Sequence, residues 1–247
     1  MLEINQIHQG DCLALMPSIP DKSVDMILCD LPYGTTNCAW DSIIDMGKLW
    51  NEYERIIKDS GAIVLTANSV FTFQLWESNK KLFRYKMIWK KSTLVGFLNA
   101  NKMPLRNHED ILVFYKSLPI YNPQKKFGYK AFKEKDVKRI PIYGKSKVNV
   151  SNENIDGSRY PTDIIEIDNP NHQSIHPTQK PVALFEYLIK TYTNEGDLVL
   201  DNCSGSGTTA IACLNSSRHF ICIEKDEAYY KKSLDRIADH EPLLRLI

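Results

Sequence analysis

Apolar and polar positions follow two rhythms along this chain. Short apolar runs bounded by polar or turn residues read as buried strands: "VDMILC" (24–29), "GAIVLTA" (61–67), "DLVLD" (197–201) and "HFICIE" (219–224). "INQIHQ", "RYKMIWKK" and "DILVFYK" read as three further strands. Between them lie stretches of helical period. Ile43, Met46, Trp50, Tyr53 and Ile57 fall on one face of "IIDMGKLWNEYERIIKD". "CLALMPSI" reads as a brief helix stopped by Pro17 and Pro20. "FTFQLWESN", "VALFEYLIKTY", "TTAIACLN" and "EAYYKKSLDRI" complete the helices. Such alternation predicts an α/β fold, a mainly parallel sheet with helices on both faces. Ligands bind such sheets at the carboxyl ends of the strands. Two loops fall at such ends, "DLPYG" (30–34) and "DNCSGSGTT" (201–209).

The alternation stops between about Ser117 and Gln173. This stretch is rich in Lys, Asn, Pro, Gly and Ser, with Tyr121, Phe127, Tyr129, Phe132, Tyr143 and Tyr160 interleaved. It reads as an irregular insert (117–173) between an N-terminal half (1–116) and a C-terminal half (174–247) of one domain. Charge sharpens the division. Lys116–Tyr160 holds eleven Lys and Arg against four acids, a net +7 in a chain whose total is +1. Lys125, Lys126, Lys130, Lys138, Arg139, Lys145 and Lys147 lie there. A basic segment on an acidic body points to a polyanion partner; a solvated surface is the alternative.

Composition is that of a globular chain, 43% hydrophobic and 25% charged over 247 residues. A core of useful size then needs no disulfide or metal. The six cysteines are scattered, with no Cys-x-x-Cys pair, which argues against metal ligation and for reduced packing residues. The start "MLEINQIHQGD" lacks the basic and apolar regions of a signal peptide, and no apolar run reaches membrane-spanning length. The expectation is a cytoplasmic protein with no membrane partner.

The loop at 201–209 has the features of a cofactor cradle. Asp201 ends a strand, Gly205, Ser206 and Gly207 follow, and a helix opens near Thr208. Glycines admit sharp turns and close approach, and a helix N-terminus offers free N–H groups. Glu224 ends the next strand nineteen positions after Gly205, where a carboxylate can accept from ribose hydroxyls. By itself this leaves a choice open, because "GSGTTA" also fits the dinucleotide fingerprint with its downstream acid.

"DLPY" resembles the Asp-Pro-Pro-Tyr signature of the amino-group DNA methyltransferases, and "DNCSGSGTT" resembles their S-adenosylmethionine loop. Catalytic motif first and cofactor motif last is the order of the family's β group. "QGDCLALMPSIPDKSVDMILCDLPYG", "MIWKK…RNHEDILVFYK" and "HPTQKP" resemble further family segments in the right order. Two departures stand out: Leu31 replaces the first proline, and Cys203 stands where phenylalanine is common. The resemblance implies a Rossmann-like methyltransferase fold with a seven-stranded, mainly parallel sheet and an inserted target-recognition region.

It also implies roles. The Asp30 carboxylate and the Leu31 carbonyl would accept from an exocyclic amine, Pro32 would stiffen the turn, and Tyr33 would stack on a flipped base. Asp11 would meet the cofactor adenine and Lys180 its carboxylate. Asp201, Cys203, Gly205, Ser206, Gly207, Thr208, Thr209 and Glu224 would form the rest of the cofactor site. Trp40 would be a core residue or a cover over the target, and His176 a structural one. His108 and Glu109 fall near the base without an assigned role. The basic insert would meet double-stranded DNA.

The expected activity is therefore methyl transfer from S-adenosylmethionine to adenine N6, since an aspartate opening the motif favours adenine. Cytosine N4 is the neighbouring alternative. An NAD-linked oxidoreductase leaves "DLPYG" and "HPTQKP" unexplained, and a silent DNA-binding subunit does not need an intact Asp30 and Tyr33. A homodimer and a cognate restriction endonuclease are compatible with the resemblance, which fixes neither.

Overall fold

A computed structural model of the protein describes residues 1–34, 43–133, 153–169 and 179–240. Its strands are β1 (Gln6–Gln9), β2 (Val24–Cys29), β3 (Ile57–Ala67), β4 (Phe83–Val95), β5 (Arg106–Phe114), β6 (Phe132–Lys133), β7 (Glu153–Asn154), β8 (Ile164–Glu166), β9 (Leu198–Asp201) and β10 (His219–Glu224). Its helices are α1 (Cys12–Leu15), α2 (Met46–Ile56), α3 (Ser69–Ser78), α4 (Val182–Tyr192), α5 (Thr208–Asn215) and α6 (Glu227–Ala238). No helix among the described residues is long and apolar enough to cross a membrane.

Eight of the described strands form one sheet in the order β1-β10-β9-β2-β3-β5-β4-β8. The first five are mutually parallel, β5 runs antiparallel to β3 and β4, and β8 runs parallel to β4. Period-two alternation sends successive strand residues to opposite faces. Ile27, Cys29, Ile63 and Leu65 pack with Leu49, Trp50 and Tyr53 of α2 and Phe71 of α3. Met26, Leu28, Ala62 and Val64 pack with Leu184, Phe185 and Leu188 of α4 and Ala210 and Cys213 of α5. Both faces are thus covered, as a parallel sheet requires.

The sheet has one more strand than the seven expected. Ile164–Glu166 lies inside the stretch read as irregular, yet it pairs with β4, Ile88 opposite Ile164 and Trp89 opposite Ile165. Ile165 is buried, and the Trp89 indole N–H donates to the Ile167 carbonyl at 2.8 Å. Three residues are too few to display a period, so only the neighbouring strand defines this one. The helix expected from Ile43 through Asp59 is also shorter at both ends. Asp45 caps it by accepting from the Lys48 N–H at 3.1 Å, and Ile57 already begins β3.

Pro123–Thr162 forms a compact unit of its own, while 117–122 and 163–169 belong with the main body. Within that unit β6 pairs with β7, and Lys126 and Arg159 bridge. Arg159 lies over the Tyr129 ring at 5.2 Å and Lys125 over Tyr160 at 4.9 Å.

Candidate active site

β2 and β9 are neighbours, with Met26 opposite Val199 and Ile27 opposite Leu200. The chain leaves β2 through α2 on one face and leaves β9 through α5 on the other. This divergence opens a crevice at the carboxyl ends of the two strands, the topological switch point of an open α/β sheet. A cavity of about 680 Å³ occupies it, a volume suited to a small molecule. Asp11, Asp30, Leu31, Pro32, Tyr33, Lys180, Asp201, Cys203, Gly205, Ser206, Thr208 and Glu224 line this cavity. Two expected cofactor residues, Gly207 and Thr209, stand behind the wall instead: Thr209 is fully buried, and its hydroxyl donates to Asp201.

The loop after β9 is held from several sides. Asp201 accepts from the Cys203 N–H at 3.0 Å as well as from Thr209. Burial raises its pKa to about 7, and those hydrogen bonds offset only part of the rise. Gly205 has φ +51 and open space where a Cβ would stand, so backbone faces the cavity. Gly207 has φ +76, and a Cβ there would stand 3.1 Å from the Ser233 Cβ. Glu224 accepts from the Gly205 N–H at 2.6 Å and the Asp226 N–H at 2.7 Å, one bond to each oxygen. Each oxygen keeps further acceptor capacity on the cavity side. Burial pushes the Glu224 carboxyl up, and these N–H groups draw it back. Asp11 caps α1 by accepting from the Leu13 N–H at 2.9 Å and pairs with Lys225 at 3.1 Å.

Asp30 follows β2 directly. Its Oδ1 accepts from the Tyr33 hydroxyl at 2.8 Å and from the Thr66 hydroxyl. Its Oδ2 accepts from Lys180 Nζ at 2.6 Å. Lys180 also lies 3.2 Å from Glu109 Oε2, and Lys91 pairs with the other Glu109 oxygen. Two carboxylates thus alternate with two ammoniums, which lets four charges sit in or near the interior. Burial disfavours the Lys180 ammonium, but Asp30 and Glu109 outweigh it and hold its pKa above the usual lysine value. Lys180 is carried by a segment tied to the cofactor loop: Ser206 Oγ donates to Gln179 Oε1 at 3.0 Å, and Thr208 Oγ1 donates to the Lys180 carbonyl at 3.4 Å.

The Tyr33 ring stacks on Phe71, centroids 5.0 Å apart, and Lys180 Nζ lies 5.6 Å from its centroid. Burial and the two nearby carboxylates push its hydroxyl well above the usual tyrosine range, so it remains a donor. Three contributors, Thr66, Lys91 and Asn202, escaped sequence reasoning, and a fourth, Glu109, falls near the base in the sequence without an assigned role. Thr66, the hydroxyl that holds Asp30, is the one polar residue in the apolar run "AIVLTA". Lys91 and Glu109 meet only because β4 and β5 pair. Asn202 lines the cavity and accepts from the Tyr53 hydroxyl at 2.5 Å. Of the expected DNA-binding cations, Lys125, Lys126 and Lys130 lie in the compact unit Pro123–Thr162. Lys138, Arg139, Lys145 and Lys147, like Trp40 and His176, lie outside the described residues.

The N6_N4_Mtase family model, described as DNA methylase, matches residues 24–235. The chain is 27% identical over 273 residues to the type II methyltransferase M2.MboI of Moraxella bovis, covering 97% of this chain and 89% of that protein. It is 27% identical over 255 residues to the type II methyltransferase M.BglII of Bacillus subtilis, covering 92% and 67%. Its fold is similar to that of PvuII DNA methyltransferase (cytosine-N4-specific), with TM-score 0.70, 18% identity and coverage of 96% and 87%. It is also similar to M1.HpyAVI in its SAM complex, with TM-score 0.64, 23% identity and coverage of 94% and 98%.

Proposed function

We propose that this chain, which belongs to the N6/N4 DNA methylase family, transfers a methyl group from S-adenosylmethionine to adenine N6 in duplex DNA. The observation that carries the reading is one cavity lined by both Asp30 and the Gly205 loop. Acceptors for an amine and a cradle for a donor thereby share one space.

The cavity fits the donor. Backbone at Gly205 is open to close approach, Glu224 can accept from ribose hydroxyls, and Asp11 stands at the same wall. Lys180, already paired with Asp30 and Glu109, lines the same cavity and would meet the donor's carboxylate with its remaining N–H. When bound, S-adenosylmethionine supplies a methyl group on a positively charged sulfonium, so transfer needs no covalent enzyme intermediate.

The adenine amine is a weak nucleophile because its lone pair is delocalised into the ring. Asp30 and the Leu31 carbonyl each accept one amine hydrogen and concentrate electron density on nitrogen. Positioning and fixed dipoles supply most of the rate enhancement. The amine becomes acidic once methylated and loses its proton to Asp30 or water. Reaching it requires extrusion of the base, at a cost of a few kcal/mol. Tyr33 and Pro32 form the receiving wall. The compact unit Pro123–Thr162, with its lysines and aromatic rings, is the proposed contact with DNA phosphates and base edges. Relatives that are type II methyltransferases support a role beside a restriction endonuclease.

Cytosine N4 is the second reading, favoured by the likeness to the PvuII enzyme. One experiment decides between them. Unmethylated phage DNA is incubated with the protein and labelled S-adenosylmethionine, then digested to nucleosides for mass spectrometry. Label in N6-methyladenine is the expected result. Label in N4-methylcytosine overturns the base assignment, and an absence of label in DNA overturns the activity.

A further inference from the structure

The connection between β4 and β5 leaves the sheet at a telling edge. β5 is antiparallel to β3, with Ala67 opposite Asp110, and β4 is antiparallel to β5, with Val95 opposite Arg106. The connecting arm therefore springs from the strand-carboxyl edge that also carries Asp30, Asn68 and Glu109. Every residue from Ser92 to Pro104 is exposed. Leu94, Val95, Phe97, Leu98 and Met103 are among them, and Leu98 is 97% exposed.

The arm is ordered. Gly96, at φ +99, turns the chain into a short 3-10 segment, Phe97–Asn99. The Asn99 N–H donates to the Gly96 carbonyl at 2.9 Å, and the N–H groups of Lys102 and Met103 donate to the Asn99 carbonyl at 2.9 and 3.0 Å. Apolar side chains are thus held out on a hydrogen-bonded tip, where exposure is unfavourable unless something covers them.

The surrounding chemistry identifies the partner. No Asp or Glu occurs between Leu82 and His108. Lys90 and Lys91 are neutralised by Glu166 and Glu109, while Lys102 and Arg106 have no carboxylate partner among the described residues. Asn99, Asn101 and Asn107 add amides of the kind that read base edges. Cations for phosphates, amides for base edges and an apolar tip are the equipment of a side chain that enters a base stack.

We propose that the arm 92–105 is a wedge, and that Leu98, backed by Phe97, enters duplex DNA where the target base leaves the stack. This rests on the methyltransferase reading and adds to it a residue that drives extrusion. Both side chains lie outside the cavity and the core, so their removal leaves the fold intact.

The target sequence is first mapped by sequencing the phage DNA that the wild-type protein methylates. If nothing is methylated, the activity reading fails and the wedge fails with it. Otherwise Phe97→Ala/Leu98→Ala is compared with wild type on a duplex carrying 2-aminopurine at the target. The expected variant keeps S-adenosylmethionine affinity and sedimentation mass. It binds the duplex about tenfold or more weakly and loses most of the 2-aminopurine fluorescence rise. Its deficit shrinks on a duplex with an abasic target, where no base needs extrusion. Unchanged DNA binding overturns the proposal, and so does an equal deficit on both duplexes, which makes the arm a plain contact. A lowered sedimentation mass also overturns it, because the arm is then a surface for a second copy of the chain.

Discussion

Lys180 reaches across 150 positions of sequence to place its ammonium 2.6 Å from Asp30 Oδ2. Its neighbours make it the hinge of a buried charge chain, Lys91–Glu109–Lys180–Asp30.

Removing one member of such a chain leaves a buried charge uncompensated. Lys180→Ala is expected to lower stability by about 3–5 kcal/mol. Adding Asp30→Asn should recover a good part of that loss, because the Lys91–Glu109 pair then stays balanced. Urea denaturation of both singles and the double gives the coupling. Additive losses would show that the pair acts independently.

The chemistry makes Asp30 and Tyr33 separable. Asp30→Asn is expected to lower turnover about a hundredfold or more without changing S-adenosylmethionine affinity. Tyr33→Phe keeps the ring but loses the hydroxyl bonds to Asp30 and Thr66. Tyr33→Ala also loses the stacking surface, worth about 1–3 kcal/mol. Single-turnover rates and DNA titration should therefore rank wild type, Phe and Ala in that order for DNA affinity.

Asp201 gives a pH signature. Burial raises its carboxyl to about 7 from 3.8, so the folded protein holds a proton that the unfolded chain has released. That contribution is complete below the unfolded value and is lost as pH rises through about 7. Urea denaturation from about pH 5 to 8 should show wild-type stability falling along this limb. Asp201→Asn should flatten the fall, and parallel curves would contradict the assignment.

The basic unit is tested by salt. Lys125→Ala, Lys126→Ala and Lys130→Ala should each reduce the slope of log affinity against log salt by about 1 if each meets a phosphate. Single-turnover rates at saturating DNA should stay unchanged. Slopes equal to wild type would assign these lysines to a solvated surface.

Strands β2, β9 and β10 and helices α4, α5 and α6 were legible in sequence because each carries its own period over enough residues. The same holds for the two site loops, where a carboxylate or a glycine turn follows directly on a strand. The sequence by itself thus determined the layered α/β class, the position of Asp30 beside Tyr33, and the Gly205 turn with Glu224 downstream. These are local properties, set by side-chain alternation and backbone freedom within a few residues. Tertiary structure alone decided the rest. Ile164–Glu166 became a strand only through β4, and Glu109 became a partner of Lys180 only where β5 meets the crevice. Thr66 came to hold Asp30 because β2 and β3 lie in register. Such relationships join residues far apart in sequence through sheet pairing and the balance of buried charge, and no local pattern encodes them.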